Sequence, residues 1–202
     1  MNKKMLAIML ALCLTLSLGL SACGGGDGGE GGGGGTAAGG KTLIIWDDSW
    51  EGIDLFQVSS WNDMQCLLAD PVLETDPETK APLPGIASEA VWSEDGLTWT
   101  LTFPEGMYYS TGEQVEPEDF VASVQYGQEV SEYGSGYACI ESMEIDGRNV
   151  ICHMSEFQAD MEYNFQSCFV GIMDKDEIDN MSKDEKLWGI HPYGAYYLDE
   201  YE

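Results

Sequence analysis

The alternation of apolar and polar positions is clearest within residues 84–126, which read PGIASEAVWSEDGLTWTLTFPEGMYYSTGEQVEPEDFVASVQY. From residue 97 to residue 103, four apolar residues alternate with three threonines, which is the period of a strand with one buried face. Residues 93–96, Ser-Glu-Asp-Gly, predict a turn before this strand, since Gly tolerates positive φ and Asp bonds local backbone. Pro104 has no N–H to donate and ends the strand. The pattern therefore predicts a hairpin.

A helix is predicted to begin near Pro117. Proline suits the first turn of a helix, and Glu118 and Asp119 lie beside the positive end of the helix dipole. The predicted apolar face consists of Phe120, Val121 and Val124.

Weaker patterns predict the other elements. Asp146-Gly147 between two apolar runs is a strong hairpin signal. The remaining predictions, in order, are a strand at 42–46 buried on both faces, a short helix at 62–70, loops at 75–84 and 131–136, a hairpin of 137–145 and 149–154, a strand at 169–173, and a helical tract at 176–187. The fold class predicted from these patterns is α+β, a mixed α/β domain with hairpins and a few helices.

The chain starts with the features of a targeting segment. Lys3 and Lys4 precede an apolar run at residues 5–20, and the sequence Leu-Ser-Ala-Cys then ends at Cys23, as in a bacterial lipobox. A transmembrane helix is disfavoured because the run is shorter than about 20 residues; an ordinary secretory signal does not account for the cysteine. We therefore expect residues 1–22 to be a lipoprotein signal peptide, with Cys23 lipidated and the protein held at the extracytoplasmic face of the cell membrane.

Composition adds a tether and a strong negative charge. Residues 23–40 are rich in glycine and cannot bury apolar area, so they predict a disordered spacer ahead of a folded part at 41–202. Without Lys3 and Lys4, 6 basic residues face 36 acidic ones, a net charge of −30. This charge excludes nucleic acid as a partner and is typical of a solvated surface; selection for cationic ligands is the alternative.

The ordered motifs in residues 84–126 resemble the solute-binding proteins of bacterial ABC importers in the oligopeptide/dipeptide/nickel-binding family (family 5). Members of this family carry a loose series of five motifs. The series begins with P-x-L-A-x-S-W and S-x-D-G, continues with an alternating strand that ends in L-R-x-G, and closes with F-x-D-G and then A-x-D-V followed by a Ser. The matching positions are Pro84, Ala87, Ser93, Asp95, Gly96, Thr100, Gly106, Gly112, Asp119 and Ser123. Ala90, Pro104 and Thr111 replace the usual Trp, Arg and Asp. Residues 194–198 resemble the family's G-P-Y-x-L, with Ala195 for Pro.

The resemblance implies the N-terminal part of a two-lobed periplasmic-binding-protein-like (class II) fold. Residues 41–202 would be a partial solute-binding domain, comprising the first strand of lobe one, the small subdomain and the start of the return to lobe one. Family members are more than twice as long, so we expect a truncated product or fragment. The implied function is capture of peptides or similar small solutes for a membrane permease. The alternatives are a surface-anchored interaction module, a non-functional fragment without a transport role, and an extracellular hydrolase, although no catalytic motif is visible.

The segment at residues 47–61 resembles the family's stretch that leads toward the ligand cleft. Asp47 and Asp48 are candidates to pair with a ligand ammonium, and Trp50 and Trp61 to contact a cation or an apolar side chain. The plainer interpretation is that the tryptophans belong to the core and the aspartates cap turns.

Four cysteines remain after Cys13 and Cys23, namely Cys66, Cys139, Cys152 and Cys168. If Asp146-Gly147 is the two-residue loop, Cys152 faces Glu141 and Cys139 faces Met154, and a bridge between the cysteines needs a shifted register. Free buried thiols are the favoured interpretation for this pair, and an exported domain permits disulfides. Neither a cofactor nor a metal site is expected, since Cys152 and His153 point to opposite faces of a strand.

Overall fold

The computed structural model describes residue 44 and residues 51–58, 65–132 and 134–200. Apart from residue 44, these belong to the second of two compact units, Ile45–Glu202. The strands are β1 (Leu73–Thr75), β2 (Pro82–Pro84), β3 (Glu89–Trp92), β4 (Thr98–Thr102), β5 (Ile140–Asp146) and β6 (Asn149–Met154). The α-helices are α1 (Gln65–Leu68), α2 (Pro117–Val130), α3 (Met161–Asn164), α4 (Lys175–Asn180) and α5 (Lys183–Gly189), with 3₁₀ turns at Gly134–Tyr137 and Cys168–Val170.

The main sheet has four antiparallel strands in the order β3-β4-β6-β5. The hairpin predicted around residues 93–96 is its β3–β4 pair. Gly96 has a φ of 68°, and the Asp95 carboxylate accepts a hydrogen bond from the Leu97 N–H at 3.1 Å. Trp99, Leu101 and Phe103 are fully buried, whereas Leu97 is 39% exposed because it precedes the paired ladder. The predicted alternation is therefore confirmed within the strand.

The predicted helix beginning at Pro117 is α2. The Asp119 carboxylate accepts a hydrogen bond from the Glu116 backbone N–H at 2.8 Å, which satisfies one free donor where the helix begins. Phe120 and Val124 are buried in the hydrophobic core, where the Phe120 ring lies 5.3 Å from the ring of Phe103, and Val121 is half-buried.

The second hairpin, β5–β6, is present with a different register from the one predicted. Asp146 pairs with Asn149, so the loop consists of Gly147, with a φ of 60°, and Arg148. Glycine at the first loop position suits a tight hairpin turn of the II′ kind. As a result Cys152 lies opposite Met143, not Glu141. Cys139 lies one residue before Ile140, which pairs with Met154. Cys139 and Cys152 are free buried thiols, so the interpretation favoured from the sequence is confirmed.

Arg148, the chain's only arginine, joins this hairpin to the loop that leads into α2. Its guanidinium donates hydrogen bonds of 2.9 Å to the carbonyls of Phe103, Pro104 and Val115. It also forms an ion pair with Glu116. Four backbone and side-chain acceptors at the end of β4 and the start of α2 thus share one cation.

Two of the weaker predictions are wrong, and a third is correct apart from a break at residues 181–182. The predicted loop at 75–84 includes β2 and the last residue of β1. These two strands form a ribbon in which Leu73 pairs with Pro84, and an edge strand tolerates proline although it has no N–H. The predicted strand at 169–173 is the 3₁₀ turn Cys168–Val170, and Met173 forms only an isolated bridge with Pro192. The helical tract at 176–187 is divided into α4 and α5, since Ser182 begins α5 by accepting the Glu185 N–H.

Aromatic side chains form the centre of the core, and Phe165 lies in the middle of them. Its ring is 5.1 Å from Trp99 of β4, 5.7 Å from Phe120 of α2 and 6.0 Å from Tyr137 of the first 3₁₀ turn. Its carbonyl accepts a hydrogen bond from the Leu73 N–H of β1 at 2.9 Å. A disulfide between Cys66 and Cys168, 102 residues apart in sequence, joins α1 to the second 3₁₀ turn.

Replacing Phe165 with Ala should lower the free energy of unfolding by about 3–5 kcal/mol, because a fully buried ring is lost and a cavity remains among three elements. Urea denaturation followed by tryptophan fluorescence measures this loss. Phe157→Ala is the matched control, since Phe157 is 64% exposed, and should change stability by less than about 1 kcal/mol. Equal losses in the two variants would contradict the central place of Phe165.

Candidate functional site

The residues proposed from sequence for lipid attachment and ligand contact lie outside the described residues. These are Cys23, Asp47, Asp48, Trp50 and Trp61. Residues 51–58, between Trp50 and Trp61, are described. Their contacts show how the middle of this candidate segment is attached to the rest of the described fold.

Residues 53–58 contribute to the core. Ile53, Leu55 and Phe56 are almost fully buried. The Ile53 N–H donates to the Leu187 carbonyl of α5 at 2.7 Å. Gly52 has a φ of 154°, and a Cβ on it would lie 2.6 Å from the Leu187 side chain, so only glycine fits where the segment meets α5.

The Asp54 carboxylate organises the turn in this segment. It is fully buried, and one oxygen accepts hydrogen bonds from the backbone N–H groups of Phe56 and Gln57 at 2.9 and 3.3 Å. The other oxygen accepts from the Gln57 amide at 2.6 Å and from the Tyr126 hydroxyl of α2 at 2.8 Å. Four donors thus compensate the desolvation of one buried carboxylate. The hydrogen bond from the backbone N–H two residues later is that of an Asx turn. This turn was not predicted from the sequence.

Tyr126 connects this carboxylate to a lysine. Burial, and after it the nearby charge of Asp54, raises the pKa of the Tyr126 hydroxyl, which therefore stays a neutral donor. The Lys186 ammonium lies 4.9 Å from the centre of the Tyr126 ring and donates to the Met181 carbonyl at 2.8 Å. Residues 51–58, α2 and α5 are thereby held together by one polar network.

The segment that follows α5 is attached by backbone hydrogen bonds. The Tyr193 carbonyl accepts the Asp70 N–H at 2.8 Å, and the Tyr193 N–H donates to the Ile172 carbonyl at 2.9 Å. Glu177 binds both the backbone N–H and the imidazole Nδ1 of His191, at 2.7 and 2.6 Å. Residues 194–198 form no helix or strand, and Leu198 packs on the core.

A buried carboxylate also fixes the junction between α2 and α4. Asp119 accepts the Lys175 N–H at 2.9 Å in addition to the Glu116 N–H. Burial raises the pKa of Asp119 despite these hydrogen bonds. Among the described residues, no cluster of three His, Cys, Asp or Glu side chains could hold a metal ion.

The described surface has several cavities, and two of them differ clearly in the character of their walls. One, of about 510 Å³, lies beside the Cys66–Cys168 disulfide and has mostly apolar walls. The other, of about 560 Å³, lies beside α2 and is lined by charged side chains including Glu118, Lys175 and Lys183. Within the described ranges, no helix is both long and apolar enough to cross a bilayer.

The fold is similar to those of solved substrate-binding proteins. NikZ from Campylobacter jejuni, solved with Ni(L-His), superposes with a TM-score of 0.67 at 16% identity over 75% of this chain and 31% of its own. The substrate-binding domain of an oligopeptide ABC transporter from Bacillus anthracis gives 0.66 at 15% identity, over 76% and 34%. The dipeptide-binding protein of Pseudoalteromonas sp. SM9913, solved with Met-Leu, gives 0.64 at 14%, over 75% and 35%.

The described part therefore has the mixed helix-and-sheet fold of ABC-importer substrate-binding proteins. The predicted fold class is confirmed, and the resemblance to family 5 is confirmed at the level of fold. The chain spans about a third of the length of these solved proteins. No protein-family model matches the chain, and no curated protein matches it in sequence.

Replacing Asp54 with Ala should lower the free energy of unfolding by about 2–3 kcal/mol, because several buried donors lose a charged acceptor. Tyr126→Phe removes a single donor and keeps the ring, so its loss should be about 1 kcal/mol. Urea denaturation of both variants measures the difference. If Asp54→Ala were no more destabilising than Tyr126→Phe, the carboxylate would not organise the segment.

Ionisation of the buried Asp119 carboxyl should lower the free energy of unfolding as the pH rises from about 4 toward neutrality. Its pKa is raised in the folded state, so its contribution is complete below the unfolded value of about 3.9 and is lost as pH rises through the folded value. Asp119→Asn should flatten this decline between pH 4.5 and 7.5, measured by urea unfolding in high salt to screen net charge. Asp95, whose pKa is lowered by hydrogen bonds from Ser93 and the Leu97 N–H, is the control. Asp95→Asn should leave the decline unchanged, and an equal flattening would refute the assignment.

Proposed function

We propose that this protein is the extracytoplasmic, lipid-anchored substrate-binding component of an ABC importer of family 5. The observation that carries the proposal is the fold, which matches ABC-importer substrate-binding proteins with TM-scores up to 0.67 over three quarters of the chain. The ordered motifs in residues 84–126 are a second support for the proposal, and in this chain they cover β3, β4 and the start of α2. The partners are a membrane permease and a small solute.

The proposed ligands are peptides or similar small solutes. Proteins with this fold have been solved with the dipeptide Met-Leu, with Ni(L-His) and as a peptide-binding pheromone receptor. We assign ligand contact to Asp47, Asp48, Trp50 and Trp61. Residues 51–58, which lie between these positions in sequence, are attached to the rest of the fold through Asp54 and the Leu187 carbonyl.

The domain organisation is part of the proposal. Residues 1–22 act as the signal peptide, Cys23 carries the lipid, residues 24–40 form the tether, and residues 41–202 form a partial solute-binding domain. Transport proteins of this fold hold a ligand without chemical conversion, so no catalytic residue is assigned.

A surface-anchored interaction module, or a fragment without a transport role, is the second candidate. The chain spans about a third of the length of the solved proteins that it matches, so ligand capture by this chain needs a direct test. A ligand held between two closing lobes needs contacts from both of them.

Thermal denaturation of the full chain, extracted from bacterial membranes, tests ligand capture. Met-Leu, a mixture of short peptides, and Ni(L-His) are added in turn. A ligand that binds the folded state raises the melting temperature by an amount that grows with the logarithm of its concentration above Kd. Asp47→Asn and Trp61→Ala should each abolish the shift caused by the active ligand. Asp184→Asn, an exposed charge change on α5, should leave it intact.

No shift with any ligand would reject capture by this chain and favour the second candidate. The intact mass of the same preparation tests the anchor independently. A mass of residues 23–202 plus acyl groups is expected, and Cys23→Ser should lose the acyl mass and leave the membrane fraction. An unprocessed or unacylated wild-type chain would contradict the lipobox interpretation.

A further inference from the structure

The cavity beside the disulfide has the size and lining of a small-molecule site. Its volume of about 510 Å³ falls within the range of about 300–1,000 Å³ that is typical of ligand pockets. Tyr137, Tyr163, Phe169 and Val170 contribute apolar walls, and the Cys66–Cys168 disulfide adds another. An apolar ligand body would find contact surface on several sides.

The charge of this lining is unlike that of the rest of the chain. Acidic residues make up 36 of the 202 positions, so twelve positions taken at random would include about two of them. None of the twelve described lining residues is acidic, and Lys80 is the one charged side chain among them. The described lining of this cavity therefore contains no carboxylate and one ammonium group, although the chain as a whole is strongly negative. Such a lining favours a ligand with an anionic group.

The loop between β1 and β2 holds Lys80 in place. The Asp76 carboxylate accepts hydrogen bonds from the backbone N–H groups of Glu78 and Thr79 at 2.9 and 2.8 Å. The Asp76 carbonyl accepts the Lys80 N–H at 2.9 Å. Lys80 has a φ of 64°, which is uncommon for a residue other than glycine and is imposed by this hydrogen-bonded loop.

Hydrogen-bond donors at the cavity remain available. The Lys80 ammonium donates to the Pro77 carbonyl at 3.0 Å and forms no ion pair within the described ranges, so two of its three donors are free for a ligand. The Gln166 side-chain oxygen accepts from the Thr75 hydroxyl at 2.7 Å. The Gln166 amide nitrogen has no acceptor among the described side chains and backbone.

From this combination we propose that the cavity binds a small apolar monocarboxylate, a free aromatic or aliphatic acid. The carboxylate is placed at the Lys80 ammonium and the Gln166 amide. The apolar body lies on Tyr163, Phe169 and the disulfide. The proposal does not depend on the transport function and adds a binding site on the small subdomain itself.

Titration of the full chain with 4-phenylbutyrate, and in parallel with the neutral 4-phenylbutanamide, tests the site by NMR chemical shifts of backbone amides. The acid should bind about two- to fivefold more tightly than the amide, as expected for an ion pair at a solvent-open rim. The perturbed amides should cluster in residues 75–80 and 163–170. Equal affinities for acid and amide, or perturbations elsewhere, would overturn the proposal.

Two variants separate the charge from the apolar wall. Lys80→Gln should remove the preference for the acid while leaving amide binding unchanged, and the charge-matched Lys183→Gln on α5 should preserve the preference. Tyr163→Ala should weaken acid and amide alike; Tyr163 is 72% exposed, so its loss should not unfold the protein. Identical effects of Lys80→Gln and Lys183→Gln would show general charge attraction and reject the site.

Discussion

The packing of Phe165 is the contact on which the other elements depend. One ring joins the central strand β4, the long helix α2 and the 3₁₀ turn at Gly134–Tyr137, while the carbonyl of the same residue binds β1. Aromatic pairs of this kind add to the free energy of burial through their preferred ring geometries. Since the β1–β2 loop and residues 163–170 are the two sides of the cavity beside the disulfide, the shape of that cavity also follows from the position of Phe165.

The chain has few cations, so most buried acceptors are satisfied by one arginine or by neutral N–H and O–H donors. Arg148 alone satisfies three carbonyls and Glu116. The buried carboxylates of Asp54 and Asp119 form no ion pair within the described part and are compensated by N–H and O–H donors. A strongly acidic protein can bury carboxylates in this way, because backbone donors supply partial positive charge wherever a turn or a helix begins.

The sequence predicts the elements whose signals are local. The β3–β4 hairpin depends on alternation and on Gly96, and α2 depends on Pro117 and its first-turn acids; both are correct. The β5–β6 register was wrong because the glycine at position 147 opens the loop, and a shift of two residues preserves which face is buried. The apolar run at 169–173 suggests a strand, but Ser167 begins a 3₁₀ turn there by accepting the Phe169 N–H, and the disulfide then joins this turn to the distant Cys66.

Long-range contacts explain what the sequence could not show about the candidate site. The partner of Asp54 is 72 residues away on α2, and nothing in the local pattern selects Tyr126 over other tyrosines. Pro104, which departs from the arginine usual in the family, is likewise explained only in three dimensions. The Arg148 guanidinium binds the Pro104 carbonyl, so a cation is present there although it comes from the β5–β6 loop.

The spacing of the disulfide has a consequence for the order of assembly. Cys66 cannot be oxidised by its native partner until a further 102 residues have been synthesised. In an exported chain, those residues must also have crossed the membrane, so Cys66 emerges long before Cys168 and meets the oxidising compartment as a free thiol. Cys139 and Cys152 emerge between them, and their early burial in the hairpin and core would remove two competing thiols before the correct partner arrives. In such a chain, burial of Cys139 and Cys152 would favour pairing of Cys66 with Cys168.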